Sequence, residues 1–209
     1  MTTIPHQHPT SGSHFGPGST HDPVTDSVAA YSDHVEAYTN HNADLMAEAA
    51  DAFIAALRPG SPVLDAGCGP GRDLRRFLDA GLAPVGLDLN PEFVAVADQI
   101  APTQVGDLRN IPFSDHTFAG TWACASLVHL PIEDAITALG EIKRVTRPGG
   151  IVAVSVKHAG STGWAETAHG RRWFQIWEPH VFADIVAGCG LAITDVTIGP
   201  VFVDVWATA

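Results

Sequence analysis

Apolar residues follow two alternating patterns over most of this chain. Short apolar runs are typical of strands, and apolar positions three and four residues apart are typical of helices. The run Ile151–Val156 is almost continuously apolar, which predicts a parallel strand buried on both faces. The predicted strands are, in chain order, Val63–Ala66, Pro84–Leu87, Gln104–Gly106, Phe118–Cys124, Ile151–Val156, Ile193–Ile198 and Phe202–Trp206.

Helical spacing fills most of the segments between these strands. Asn90 followed by Pro91 is typical of a helix N-cap and first helical position. Proline and glycine, as in Pro59-Gly60 and Pro148-Gly149-Gly150, predict where helices end. The predicted helical segments are 26–57, the region around 74–78, 91–100, 132–142 and 181–187.

The alternation of strands and helices predicts an α/β fold. Only Gly199-Pro200-Val201 separates the last two strands, so they are predicted to pair antiparallel, without a helical crossover. The expected architecture is an open, twisted, mostly parallel sheet with helices on both faces and an antiparallel final strand.

Composition limits the number of domains, the classes of ligand and the cellular compartment that the sequence allows. The 209 residues suit one domain, residues 26–209, and residues 1–25, rich in His, Pro, Ser, Thr and Gly, are predicted to be a disordered leader. The irregular spacing of the leader's histidines predicts no metal site.

A formal net charge of -12 disfavours nucleic-acid binding. No apolar run approaches the roughly 18 residues of a membrane span. The start lacks a secretory signal, and three cysteines suit a reducing cytoplasm better than a disulfide scaffold.

Glycines and carboxylates concentrate where strands end, at the edge where open sheets bind ligands. Gly67, Gly69 and Gly71 allow backbone N–H groups to approach a ligand closely, beside the amino end of a helix. Asp88 ends the second strand, where a carboxylate can accept both hydroxyls of an adenine-linked ribose. Asp65 would repel a pyrophosphate but suits a cationic amino acid moiety, which favours S-adenosylmethionine over a dinucleotide.

Asp65 and a third carboxylate, Asp107, could also have purely structural roles. Asp65 could instead cap a helix or order the loop by a hydrogen bond. Asp107 follows the third strand, where it is placed to meet the adenine amino group with Leu108 packed on the ring. The alternative for Asp107 is a turn residue that ends the strand.

Five motifs occur in a characteristic order: Val63–Asp73, Val85–Asn90, Gly106–Leu108, Ile111–Phe113 and Glu141–Gly150. With them the chain resembles the class I S-adenosylmethionine-dependent methyltransferases, of the small single-domain type that acts on small molecules. The resemblance covers roughly residues 31–158. It implies a Rossmann-like, seven-stranded sheet whose last strand is antiparallel. It also implies a helical cap at 26–58, a cofactor-binding core at 61–157 and an acceptor-side loop or lid at 158–178.

The resemblance also implies the residues around the cofactor. Asp65 and the glycines would surround the methionine part, and Leu89 would pack on adenine. A tyrosine before the first helix of the core would reach the cofactor carboxylate, with Tyr38 the first choice and Tyr31 the second. The segment from Trp122 to Ala125 would close beside the sulfonium. The full cofactor set is Tyr38, Asp65, Gly67, Cys68, Gly69, Gly71, Arg72, Asp88, Leu89, Asp107, Leu108, Ala123 and Cys124.

The acceptor side is less defined. His129 follows the fourth strand and is the candidate general base, although it could instead hydrogen-bond a neighbouring loop or cap a helix. The segment 158–178 carries aromatic residues and two arginines, which could contact a planar, acidic substrate or form a lid that excludes water. These residues are Trp164, Arg171, Arg172, Trp173, Phe174 and Trp177.

The sequence therefore predicts methyl transfer from S-adenosylmethionine to a small-molecule acceptor by in-line displacement. Two alternatives stay open: an NAD(P)-dependent oxidoreductase, because a glycine turn and Asp88 also suit a dinucleotide, and a binding protein for S-adenosylmethionine without catalysis. The acceptor, the atom methylated and the oligomeric state are not predicted.

Overall fold

The computed structural model describes residues 22–32, 34–37 and 45–209. Most of the predicted leader, residues 1–21, and the predicted ligand Tyr38 lie outside the described residues. The strands are β1 Pro62–Ala66, β2 Ala83–Asp88, β3 Thr103–Val105, β4 Phe118–Cys124, β5 Thr146–Lys157, β6 Gly163–Thr167, β7 Gly170–Phe174, β8 Ala192–Ile198 and β9 Phe202–Thr208.

Seven of these strands form one sheet in the order β3-β2-β1-β4-β5-β9-β8. The pairs from β3 through β5 are parallel, whereas β9 runs antiparallel to both β5 and β8. This topology confirms the predicted α/β fold, including the antiparallel last strand. Strands β1 and β4 are neighbours, but the chain continues from β1 to β2 on one side and from β4 to β5 on the other side. A crevice therefore opens at the carboxyl ends of β1 and β4.

Helices cover both faces of the sheet. They are α1 Pro23–Ser32, α2 Ala47–Ala55, α3 Arg72–Asp79, α4 Pro91–Ala97, α5 Ile132–Val145 and α6 Pro179–Gly188, with a short 3-10 turn at Leu127–His129 and helical residues at 35–37. Along β5, Val154 packs into one core with residues of α5 and α6, while its neighbour Ala153 packs into the other with Phe53 of α2. Burial on both faces explains the continuous apolar run of this strand.

Two predicted boundaries differ from the structure. Helix α1 begins at Pro23, before the predicted start at Asp26, because Asp22 accepts hydrogen bonds from Val24 N and Thr25 Oγ1 and so orders the first turn. Strand β5 begins at Thr146, so Pro148-Gly149-Gly150 lies within the strand instead of between elements.

The segment 158–178, predicted as a loop or lid, contains a β-hairpin. Strands β6 and β7 pair antiparallel from Gly163 opposite Phe174 to Thr167 opposite Gly170. The hairpin packs on α1, where Trp173 N donates a hydrogen bond to Ser27 Oγ at 2.8 Å. It therefore lies over the carboxyl ends of the parallel strands.

Among the residues described, every helix falls short of the length and apolar character that a bilayer crossing demands.

Candidate active site

Two adjoining cavities open at the carboxyl ends of β1, β2 and β4. The larger spans about 710 Å³ and the smaller about 450 Å³, and both volumes include the solvent-open mouth. Both are lined by Gly67, Gly69, Cys124 and Ala125, so they form two arms of one site. Asp88, Leu89, Asp107 and Leu108 line the larger arm; Asp65, Cys68, Arg72 and Asp73 line the smaller one.

The glycine turn after β1 brings two loops into close contact. Gly67 has φ +83, in the left-handed region, and a Cβ placed on it would lie 2.2 Å from the Ser126 Cβ. Gly67 N and Cys68 N both donate to the Leu87 carbonyl, at 2.7 and 3.0 Å, which ties the turn to β2. Only glycine allows the two loops to approach this closely.

Asp65 is the most unusual carboxylate of the site. It is 2% exposed, and its buried Oδ2 has no hydrogen-bond partner within the described ranges. Burial, and after it the nearby charge of Asp73, raises the pKa of Asp65 well above its usual value. An isolated buried carboxylate is costly unless a cation or a donor compensates it. The smaller arm thus presents an unpaired acceptor that fits a cationic group.

Asp88 is held by the backbone around it. Its Oδ2 accepts a hydrogen bond from Gly69 N and its Oδ1 from Asn90 N, both at 2.8 Å. Burial raises the pKa of Asp88, and these two N–H groups oppose that rise. Each carboxylate oxygen has two lone pairs, so both oxygens retain capacity for hydroxyl donors in the larger arm.

Asp107 lies at the rim of the larger arm and is fixed by Arg109. Its Oδ1 accepts from Arg109 N at 2.8 Å, the pattern of a turn-forming aspartate. Its Oδ2 accepts from Arg109 Nη2 at 2.7 Å. Asp107 therefore orders the strand-ending turn while it also lines the cavity beside Leu108.

Arg72 lines the smaller arm but already has a carboxylate partner. Its Nε donates to Asp73 Oδ1 at 2.9 Å, and its Nη2 contacts Asp73 Oδ2 and Cys124 Sγ. Asp73 also accepts from Arg76 and from Trp122 Nε1. Sequence reasoning missed Asp73; its only signal is a carboxylate in the first turn of α3, after the glycine motif.

The segment after β4 divides between core and cavity. Cys124 and Ala125 line both arms, and Ala125 has φ +53, an uncommon conformation for a residue with a Cβ. Trp122 and the predicted ligand Ala123 are buried in the two cores and line neither arm. Burial raises the pKa of the Cys124 thiol to about 12, so it is a neutral lining group.

His129 and Tyr31 form a buried pair that lines the larger arm. His129 Nδ1 lies 2.5 Å from the Trp173 carbonyl oxygen, and Nε2 lies 2.9 Å from Tyr31 Oη. A carbonyl only accepts, so Nδ1 carries the hydrogen and Nε2 accepts the hydroxyl hydrogen of Tyr31. Burial lowers the pKa of His129 to about 4, so the ring is neutral at physiological pH.

This hydrogen bond alters the roles that the sequence predicted for Tyr31 and His129. Tyr31, the second choice for the cofactor carboxylate, directs its hydroxyl at His129. Both ring nitrogens of His129 are occupied, so a proton can reach Nε2 only through Tyr31 Oη. A general-base role for His129 stays a prediction, now with a defined route.

A seven-stranded sheet of this order, with a glycine turn and an acidic strand end at its crevice, defines the Rossmann-like methyltransferase fold. Residues 63–150 match the family model described as a methyltransferase domain. The chain therefore contains a methyltransferase domain of the class I S-adenosylmethionine-dependent type, as the sequence motifs predicted.

Known proteins with this domain differ in their acceptors. The chain is 36% identical over 140 residues to the malonyl-[acyl-carrier protein] O-methyltransferase of Pseudescherichia vulneris, covering 64% of this chain and 54% of that protein. It is 36% identical over 115 residues to the sterol 24-C-methyltransferase erg6 of Schizosaccharomyces pombe, covering 49% and 29%. The chain spans about half the length, or less, of the curated relatives it matches.

The fold is also that of a solved methyltransferase. The 1,6-didemethyltoxoflavin-N1-methyltransferase of Burkholderia thailandensis, with 1,6-didemethyltoxoflavin and S-adenosylhomocysteine bound, matches with a TM-score of 0.70 and 24% identity. The match covers 88% of this chain and 86% of that one.

Proposed function

We propose that this protein transfers a methyl group from S-adenosylmethionine to an oxygen atom of a small-molecule acceptor. The observation that carries the proposal is the unpaired Oδ2 of Asp65, buried beside a glycine turn in a class I methyltransferase domain. When bound, S-adenosylmethionine supplies a methyl group on a positively charged sulfur, and the electron pair of the broken C–S bond stays on sulfur.

The residues present fit this nucleoside. Asp65 would accept from its ammonium group, which would end the isolation of the buried carboxylate. Asp88 would accept from the ribose hydroxyls, and Leu89 and Leu108 would provide the apolar faces for adenine. Gly67 and Gly69 line both arms, and their lack of side chains leaves space for the methionine part, while their own N–H groups donate to the Leu87 carbonyl and to Asp88.

The same carboxylate argues against a dinucleotide. A pyrophosphate in the glycine turn would lie against Asp65, a buried acid whose Oδ2 has no hydrogen-bond partner among the described residues. Two negative groups in a poorly solvated site repel each other strongly. An NAD(P)-dependent oxidoreductase is therefore the weaker candidate.

Support for an oxygen acceptor comes from malonyl-[acyl-carrier protein] O-methyltransferases, three of which match at 36–39% identity over 107 to 140 residues. The shared region includes less than two thirds of each of these proteins. The acceptor itself is thus not carried over from them.

Calorimetry tests the cofactor part of the proposal. S-adenosylhomocysteine is expected to bind, and NAD is expected not to bind at millimolar concentration. Transfer of a labelled methyl group to an oxygen-bearing metabolite in a panel would then establish catalysis. Binding of NAD in preference to S-adenosylhomocysteine would overturn the proposal, and binding without any transfer would support the non-catalytic alternative.

His129 acts through Tyr31 in this proposal. The neutral ring holds the Tyr31 hydroxyl at the acceptor end of the cavity, and the Trp173 carbonyl fixes the ring in turn. We expect His129→Ala and Tyr31→Phe each to lower kcat at least tenfold without changing the Kd for S-adenosylhomocysteine. Removing one partner of a functional pair leaves little for the second change to remove, so the double variant should be no slower than the single ones.

The measurement is kcat and cofactor Kd for the two single variants and the double variant. A purely packing role for His129 predicts a different pattern: His129→Ala would lose stability, whereas Tyr31→Phe would retain the wild-type kcat. That outcome would remove the pair from the mechanism.

A further inference from the structure

Lys157 and Arg172 differ from the other cations around the site. Within residues 22–32, 34–37 and 45–209, neither has a carboxylate within ion-pair distance. Arg58, Arg75, Lys143 and Arg147 also lack an ion pair among the described residues, but none of these four is buried as Arg172 is. By contrast, each of the following arginines pairs with an aspartate or glutamate: Arg72, Arg76, Arg109, Arg144 and Arg171.

Aromatic rings hold the two cations near each other. The Arg172 guanidinium carbon lies 4.4 Å from the Tyr31 ring centroid and 5.2 Å from that of Phe174. Lys157 Nζ lies 4.5 Å from the centroid of the same Phe174 ring. Arg172 is only 7% exposed, and its Nε and Nη2 both donate to Thr167 Oγ1, at 3.2 and 2.8 Å. Across the described ranges, its Nη1 has no hydrogen-bond partner.

Two neighbouring positive charges without a counterion are unfavourable in a buried place. Burial, followed by the charge of Arg172, lowers the pKa of Lys157. Cation–π contacts recover only about 0.5–2 kcal/mol each, less than the cost of taking an unpaired charge out of water. An anion between the two would relieve both their repulsion and their loss of solvent.

Lys157 and Arg172 line neither arm themselves, but they contact aromatic residues at or beside the wall of the larger arm. Tyr31 and His129 line the larger arm, whereas Asp65 lines the smaller one. Arg172 stacks on Tyr31, and the Phe174 ring that contacts Lys157 lies 4.8 Å from the His129 ring. Among the described residues, the Asp65 carboxylate in the smaller arm and the two cations beside the larger arm thus give the site charged groups of opposite sign at separate places.

We infer that Lys157 and Arg172 form a subsite for a carboxylate carried by the acceptor. The inference rests on the proposed function, because it names the class of acceptor that the methyltransferase site takes. A carboxylate offers two oxygens, which matches one free guanidinium nitrogen and one ammonium group. A neutral acceptor would leave both positive charges uncompensated.

The test measures binding, independently of turnover. Protein loaded with S-adenosylhomocysteine is titrated calorimetrically with phenylacetate and with phenylacetamide, which has the same shape without the charge. Phenylacetate is expected to bind at least tenfold more tightly than the amide. Arg172→Gln and Lys157→Gln are each expected to weaken phenylacetate binding at least tenfold and to leave the Kd for S-adenosylhomocysteine unchanged.

Arg171→Gln is the matched control. Arg171 precedes Arg172 on the same strand but is exposed, next to Glu166, so its removal should leave phenylacetate binding at the wild-type level. Lys157 is only partly buried, so Lys157→Gln keeps the test valid if loss of Arg172 disturbs the hairpin. Equal affinity for phenylacetate and phenylacetamide, or equal losses in Arg171→Gln and Arg172→Gln, would overturn the subsite.

The two proposals fail separately. A protein that binds S-adenosylhomocysteine but discriminates neither probe contradicts the carboxylate subsite and leaves methyl transfer in place. A protein that binds phenylacetate through Arg172 but ignores S-adenosylhomocysteine contradicts the proposed function and supports the subsite.

Discussion

Asp65→Asn is expected to stabilise the ligand-free protein at neutral pH and to weaken S-adenosylhomocysteine binding at least tenfold. The buried Oδ2 of Asp65 has no partner, so its charge destabilises the folded state. The cofactor's ammonium group would supply that partner, and a charge-assisted hydrogen bond contributes about 1.5–3 kcal/mol. The measurements are urea unfolding without ligand and calorimetry with S-adenosylhomocysteine.

The pH dependence of stability gives an independent check on Asp65. Its folded-state pKa is raised above 3.8, so the folded protein binds the proton more tightly than the unfolded chain. The contribution of Asp65 to the free energy of unfolding therefore falls as pH rises from the unfolded pKa through the folded one. Asp65→Asn should remove that decline.

The exposed Asp79, at the end of α3, is the control for Asp65, because Asp79→Asn should change neither stability nor binding. A less stable Asp65→Asn protein that still binds S-adenosylhomocysteine normally would show that Asp65 is structural.

Gly67→Ala is expected to lower the free energy of unfolding by about 2–5 kcal/mol and to abolish S-adenosylhomocysteine binding. The left-handed backbone costs a residue with a Cβ about 1–2 kcal/mol, and overpacking adds about 1–3 kcal/mol. The added methyl would lie 2.2 Å from the Ser126 Cβ, so the loops after β1 and β4 must separate. Those two loops build the cavity lining that both arms share.

The Gly60→Ala variant separates the cost of the left-handed backbone from the cost of steric contact with a neighbouring loop. Gly60 has φ +77, close to the φ of Gly67, but nothing lies within 4 Å of a Cβ placed there. The Gly60→Ala substitution should lower the free energy of unfolding only by the backbone contribution of about 1–2 kcal/mol. The variant should bind S-adenosylhomocysteine as the wild type does. Chemical denaturation and calorimetry of both variants make the comparison. Equal effects of the two substitutions would mean that contact with Ser126 is unimportant.

Much of the fold could be predicted because its strands have strong local signals. Burial on both faces makes β5 continuously apolar, and the three residues between β8 and β9 are too few for a crossover. The β6–β7 hairpin was missed because its strands are short and partly exposed, so they lack a clear alternation. Its position depends on packing against α1, far away in the sequence.

The candidate site, like the fold, could be predicted from the sequence only in part. Motif spacing predicted that Gly67, Asp65 and Asp88 meet at the strand ends, and the structure brings all three to the cavity walls. The Tyr31–His129 contact joins residues 98 positions apart, so local patterns carry no signal for it.

The sequence by itself determined the order of strands and helices and the positions of glycines and carboxylates at the strand ends, because periodicity and turn chemistry act over a few residues. Only the tertiary structure decided which charges are paired. Among the described residues it left Asp65 Oδ2 without a hydrogen-bond partner and Lys157 and Arg172 without an ion pair, and it made His129 a neutral acceptor. Desolvation and charge pairing depend on neighbours that folding alone brings together.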